Sequence, residues 1–304
     1  MTESIPPTGA AAAGLGHTFR QVLLSSRPLS WINTAFPFAA AYVVTTGRID
    51  ALLVVGTLFF LIPYNLLMYG INDVFDYESD LRNPRKGGVE GAMLEQSLHR
   101  TVLISGVATA VPVLLLMLVL AGANPGSWLV LMISLFAVVA YSAPRLRFKE
   151  RPVLDSVTSS IHFVSPAVYG LAVAGALVTP DLVAVLAAFF FWGIASHAFG
   201  AVQDVEPDRQ GGISSIATAF GAAQTVRLAI GFWLLAGVLM LVTDWPGPLA
   251  ALLVIPYVLA AWPYRSISDA ESERANNGWK RFLRLNFFTG FLVTMLLILW
   301  VVLR

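Results

Sequence analysis

Cysteine is absent from this chain and charge is scarce, with 12% of its 304 residues being Asp, Glu, Lys or Arg. The first absence excludes disulfides, thiolate metal sites and thiol nucleophiles. The second excludes an ordinary soluble domain, in which about a quarter of residues carry charge. What remains is 57% hydrophobic and falls into long runs. A run of about 17–25 apolar residues spans a bilayer core of roughly 30 Å as a helix. Nine such runs occur, near 29–47, 51–71, 101–121, 126–143, 155–177, 181–203, 224–243, 246–264 and 281–303. They predict an all-α integral membrane protein, a bundle of nine transmembrane helices.

The net charge of +1 conceals a strong asymmetry. With nine spans, every Lys and Arg except Arg48 and Arg304 falls on one side. Lys and Arg resist translocation, so that side is cytoplasmic, which puts the N-terminus inside and the C-terminus outside. The charge balance gives no reason to invoke nucleic acid; the implied surroundings are the lipid bilayer. Residues 1–25, which include PPTGAAAAGLG, read as a flexible cytoplasmic tail, and residues 26–304 as a single membrane domain.

The outer connections, TTGRID, AGANPGS, VTP and TDWPG, are short and rich in turn residues. Two inner connections are longer, and each begins where a span runs into acid: GINDVFDYESD in one, GAVQDVEPDRQGG in the other. In the first, Asp73, Asp76 and Asp80 stand at i, i+3 and i+7, and Asn72 joins Asp76 and Asp80 at steps of four. On a helix these form one face, where like charges repel unless a cation compensates. Carboxylate and amide oxygens are hard donors suited to Mg²⁺, which typically bridges one or two carboxylates to phosphate. Asp204 and Asp208 make a second i, i+4 pair. Pro207 between them predicts a helix end or kink, with Gly211 and Gly212 loosening the loop beyond. One such cluster is as readily a solvated juxtamembrane face, but two at matching exits argue for a site. Arg85, Lys86, Arg145, Lys149 and Arg209 are candidates to hold a phosphate group by charge-assisted bonds.

Asn72-Asp73-Val-Phe-Asp76-Tyr-Glu-Ser-Asp80 resembles the NDxxDxxxD motif of the UbiA-type membrane prenyltransferase superfamily, and Asp204-Val-Glu-Pro-Asp208 resembles its second motif, DxxxD. Arg27-Pro28 and YSAPRLRFKERP are also similar to that family. NDVFDYESDLRNPRKGG and SHAFGAVQDVEPDRQGGISSIAT are most similar to its carotenoid branch, the lycopene elongases. Pro207 departs from many members, which have Gly or another residue there. The resemblance implies a cell-membrane enzyme with a central cavity open to the cytoplasmic side and its active site facing the cytoplasm. It implies Mg²⁺-dependent transfer of a dimethylallyl group from dimethylallyl diphosphate to lycopene. Two Mg²⁺ are expected, one on Asn72, Asp76 and Asp80 and one on Asp204 and Asp208. Asp73 is shared or lies behind, so that Asp73, Asp76, Asp204 and Asp208 form the catalytic set.

An allylic cation has to meet its carbon nucleophile before water does, which asks for a dry cavity with aromatic faces. Tyr64, Tyr69, Phe75, Tyr141, Tyr169, Trp192 and Phe199 are aromatic candidates, and Asn33, Asn65, His162 and His197 are polar groups within or beside spans. Asn33, Tyr64, Asn65, Tyr141, Tyr169 and His197 are expected to form the acceptor pocket. No side chain is singled out as the base. An aromatic or quinone-precursor acceptor would use the same metal site. A transporter or channel would place its carboxylates near mid-bilayer, and a subunit that only holds a pigment would not depend on the aspartates.

Overall fold

The structure is a computed structural model that describes residues 14–81 and 94–303, and within them every regular element is helical. The first half contains α1 (Leu15–Ser25), α2 (Ile32–Thr46), α3 (Ala51–Leu61), α4 (Pro63–Phe75), α5 (Tyr77–Asp80), α6 (His99–Ala121) and α7 (Pro125–Ser142). It is followed by α8 (Leu154–Val173), α9 (Pro180–Val202), α10 (Val205–Gln210), α11 (Ile216–Phe220), α12 (Ala222–Leu241), α13 (Ile255–Ala261) and α14 (Asn276–Val302). Helix α1 lies within the stretch read as a tail, and its Ser25 is buried.

The short turns are helix caps. Asp50 accepts from the Leu53 N–H at 3.0 Å at the start of α3, and Asn124 does the same for Ser127 at 3.0 Å on α7. Thr179 accepts from Leu182 at 3.2 Å on α9. Pro125 and Pro180 occupy the first helical position, where no N–H is needed. The span Ala51–Phe75 breaks before Pro63, which has no N–H to continue the ladder. Asn65 closes the break: its amide donates to the Phe60 and Leu61 carbonyls at 2.8 and 3.0 Å. Thr34 on α2 adds a 2.6 Å bond to Phe60.

Among the described residues seven helical segments are long and apolar enough to cross a membrane: Ala51–Phe75, Gln96–Ala121, Pro125–Ser142, Pro180–Val202, Ala222–Leu241, Gly247–Tyr264 and Asp269–Val302. The predicted spans near 29–47 and 155–177 correspond to α2 and α8, which are helical but not among the seven. Helix α2 has 15 residues, about 22 Å at 1.5 Å per residue. Helix α8 buries Asp155, Ser156, Thr158, Ser160, His162 and Ser165. It packs against α2, α7 and α9. A helix surrounded by protein satisfies polar groups through its neighbours and needs no uniformly apolar surface.

Two apolar clusters anchor the bundle. Phe38, Phe59, Phe60 and Tyr64 of the first half pack with Tyr169 of α8, and Phe199, Trp233, Tyr257 and Phe282 pack in the C-terminal half. Gly193 permits close α8–α9 packing, since a Cβ there would overlap the Ser160 hydroxyl.

Candidate active site

A cavity of about 3110 Å³ is lined from both halves. Asn72, Asp76, Lys149, Asp204 and Asp208 stand at one end of it, and Asp181 and Asp244 at the other. The cavity therefore follows α9 from its first turn to past its last, about 34 Å for 23 residues.

The first acidic motif does not lie on one continuous helix. Helix α4 ends at Phe75, Asp76 sits at its C-cap, and α5 restarts at Tyr77. The break turns neighbouring aspartates in different directions. Asp73 is buried and accepts from Arg27 Nη2 through its Oδ1 at 2.9 Å. Arg27 itself lines the cavity and stacks over the Tyr69 ring, 4.3 Å from its centroid. Asp76 faces Lys149, with which it forms an ion pair, and Arg147 at 3.6 Å. Asn72 donates to Asp76 at 2.5 Å and to Ser142 at 3.0 Å, locking the motif to the end of α7. The Asp80 side chain lies outside the described residues.

The second motif is the helix end that Pro207 predicts. Helix α9 stops at Val202, Asp204 is the N-cap of α10, and Pro207 falls in the first turn of α10, where its missing N–H is harmless. The Asp208 N–H donates to the Asp204 carbonyl at 2.8 Å, and Gly212 takes the left-handed φ of +69° that turns the chain away.

Arg147 donates through Nε to Glu150 at 2.7 Å and through Nη1 to the Phe75 carbonyl at 3.3 Å. Its guanidinium holds the Glu150 carboxyl below the usual carboxylate range. Arg27, Arg145, Arg147 and Val153 are the non-glycine residues with left-handed φ among those described. Such backbone costs on the order of 1–2 kcal/mol per residue and gathers where a site dictates side-chain direction.

That turn decides where the expected basic residues stand. Arg145 is exposed and off the cavity wall, while Arg147, which was not singled out, takes its place beside Lys149. Arg209 is also off the wall, paired with Asp269 at 2.6 Å. Arg85 and Lys86 lie outside the described residues. Of the expected acceptor pocket, Asn33, Tyr141 and His197 line the cavity. Tyr64, Asn65 and Tyr169 do not: Tyr64 bonds Ser134 at 3.0 Å, Asn65 closes the α3–α4 break, and Tyr169 stacks on Phe38. Tyr69, Phe75, Trp192 and His162 also line it, whereas Phe199 is buried behind. Arg27 and Arg147 had a signal in the sequence, the Arg-Pro pair before α2 and the alternating Arg-x-Arg-x-Lys after α7.

No three acidic or histidine side chains among the described residues gather into a metal cage. The donors instead suit an ion that takes one or two carboxylates from the protein and completes its shell with phosphate oxygens and water, the habit of magnesium.

Residues 34–292 match the UbiA prenyltransferase family. The chain is 50% identical over 279 residues to the lycopene elongase/hydratase of Corynebacterium glutamicum, covering 92% of this chain and 96% of that one. It is 53% identical over 280 residues to the C(50) beta-cyclic carotenoids biosynthesis protein LbtBC of Dietzia sp., of whose length the match spans 64%, and 92% of this chain. Its fold is similar to that of a UbiA homolog from Archaeoglobus fulgidus solved bound to DMAPP and Mg2+. The TM-score is 0.63 at 20% identity, over 88% of this chain and 98% of that one. Two acidic motifs on one cavity, an all-helical membrane fold and these matches agree: the chain belongs to the UbiA prenyltransferase family.

Proposed function

We propose that the chain transfers a dimethylallyl group from dimethylallyl diphosphate to one end of lycopene. The observation that carries this reading is a single cavity lined by both acidic motifs and by the basic side chains Arg27, Arg147 and Lys149, with an apolar, aromatic wall along the rest of α9. A long linear acceptor needs that length, and a compact aromatic acid does not. Helices α2 and α8, added to the seven apolar segments, complete a nine-helix bundle. The Lys and Arg asymmetry then puts the N-terminus and the active site on the cytoplasmic side.

Asn72 and Asp76, with Asp80, would hold one magnesium ion, and Asp204 with Asp208 a second. Bound there, magnesium supplies Lewis acidity to the departing diphosphate. Before substrate arrives, Lys149 and Arg147 neutralise Asp76. With Asp76 serving as a metal ligand, the Lys149 ammonium and the Arg147 guanidinium would be available to donate to diphosphate oxygens. Asp73 fixes Arg27 from behind, so that its guanidinium stays on the cavity wall. Tyr69, Phe75, Tyr141 and Trp192 exclude water and offer ring faces to the allylic cation.

The test supplies labelled dimethylallyl diphosphate to the purified chain in lipid nanodiscs with lycopene, a hydroxybenzoate or a naphthoate. Label in a pigment heavier by one or two five-carbon units is the expected result. Label on the aromatic acid would refute the acceptor, and Mg²⁺-dependent turnover surviving in both Asp76→Asn and Asp208→Asn would refute the site.

A further inference from the structure

Asp208 can serve a metal only if the short segment that carries it is held in place. The Gly211, Gly212 and Ile213 N–H groups donate back to the Pro207, Arg209 and Asp208 carbonyls at 2.9, 3.1 and 2.8 Å, so α10 and the turn after it fold as one unit. That unit runs on into α11, and Asp208, Gly211, Ile213 and Ser215 all line the cavity. Local bonds fix its shape but not its position against the bundle. Two carboxylates from other elements supply that: Asp269 through Arg209 at the surface, and Asp155 through the Ile216 N–H in the interior.

Asp155 is fully buried in the first turn of α8. One of its oxygens accepts from the Ser156 N–H and the other from the Ile216 N–H, each at 2.7 Å. Among the described residues no Lys or Arg forms an ion pair with it. Its charge therefore rests on N–H groups at the starts of two helices, where intrahelical acceptors are missing. Helix α11 does not need Asp155 for its own cap, because Ser215 and Thr218 already cap it reciprocally, at 3.3 and 2.7 Å. What the Ile216 bond adds is a tie between α8 and a segment distant in sequence. Moving either helix start away would uncover a buried charge, which makes the tie stiff.

We propose that Asp155 is a positioning residue for the second acidic motif: it pins the start of α11 to α8 and so holds the Asp204–Asp208 segment in place on the cavity wall. The assignment rests on the magnesium-diphosphate reading above and not on the identity of the acceptor. With the pin gone the carboxylates are no longer preset, and part of the free energy of metal binding goes into ordering them.

Asp155→Ala removes both acceptors. Ile216→Pro removes the donor instead: proline suits the first position of a helix, and Ser215 before it already has the extended backbone that proline requires, with φ −144° and ψ 171°. Unfolding of each purified variant in detergent is followed by scanning fluorimetry while MgCl2 is titrated at a fixed concentration of inorganic pyrophosphate. The starting Tm reports the structural loss, and the Mg²⁺ concentration at half-maximal stabilisation reports the site. Each variant should need about tenfold more Mg²⁺, the lower end for loss of one hydrogen bond to a charged group. The double variant should need no more than Asp155→Ala alone, since both changes delete one contact. A half-point within twofold of wild type in either single variant, or shifts that multiply in the double, overturns the assignment. Should Asp155→Ala not fold, the same twofold criterion applies to Ile216→Pro. Stabilisation that is absent in wild type, or that survives in Asp208→Asn, refutes the metal reading and this assignment with it. Its loss in Asp208→Asn beside unchanged half-points in the pin variants refutes the assignment alone.

Discussion

Replacing Asp73 with Asn should separate a positioning role from a metal-binding one. Its side chain is 1% exposed and its partner Arg27 20% exposed, with 2.9 Å between Oδ1 and Nη2. At an effective dielectric of about 20 the gross attraction is about 6 kcal/mol. Desolvation offsets much of this, and breaking a fully buried pair costs about 3–5 kcal/mol. Arg27 keeps its stack on Tyr69 and some contact with solvent, which places the expected loss at the lower end, about 3 kcal/mol. For a chain of this size that is a fall in Tm of about 6 °C, at roughly 2 °C per kcal/mol. Scanning fluorimetry in detergent measures it directly. The same variant should raise the KM for the allylic diphosphate about tenfold through a loosened Arg27, with a smaller loss of kcat than Asp76→Asn produces. The double replacement Arg27→Met with Asp73→Leu should recover stability, because an apolar pair of similar volume removes both desolvated charges, but should not recover activity. An Asp73→Asn protein whose Tm stays within 2 °C of wild type, or a fully active double variant, would refute the reasoning.

Lys149→Met should lower kcat/KM for the diphosphate about 10- to 150-fold in steady-state assays, the equivalent of one charge-assisted hydrogen bond of about 1.5–3 kcal/mol; a change under twofold would exclude diphosphate contact. Asp269 accepts from the Ala222 N–H at 2.7 Å at the start of α12 and pairs with Arg209, and these hold its carboxyl below the usual range, the Ala222 bond most strongly. Its stabilisation should be full above about pH 4, the unfolded value for Asp, and be lost as pH falls through the lower folded value. Asp269→Asn should therefore flatten the acid side of a plot of Tm against pH. Gly193→Ala should cost about 1–3 kcal/mol by overpacking α9 against Ser160, and adding Ser160→Gly should recover part of it in the same melts.

The candidate acids were legible because their pattern is local: Asp76, Asp204 and Asp208 each follow a hydrophobic run within a few residues, and all three line one cavity. The basic partners were not. Arg145 and Lys149 were candidates by charge alone, but the left-handed backbone at Arg145 and Arg147 makes a turn there and gives the wall to Arg147 and Lys149. Asn65 had the signature of a functional intramembrane amide, but it bonds the Phe60 and Leu61 carbonyls at the α3–α4 break and the Thr34 hydroxyl on α2, and the last of these is a contact that no spacing contains. Tyr64 and Tyr169 were indistinguishable from Tyr141 by residue type; only packing puts two in the core and one on the cavity.

The sequence by itself determined that the chain is a helical membrane protein, where its turns fall and which spans end in acidic motifs, since each depends on residues close along the chain. The tertiary structure alone decided which charges pair, which aromatics line the cavity, and that α8 carries a polar face buried against protein. Those outcomes depend on contacts between helices distant in sequence, where a side chain's surroundings are set by whichever neighbour the packing brings to it.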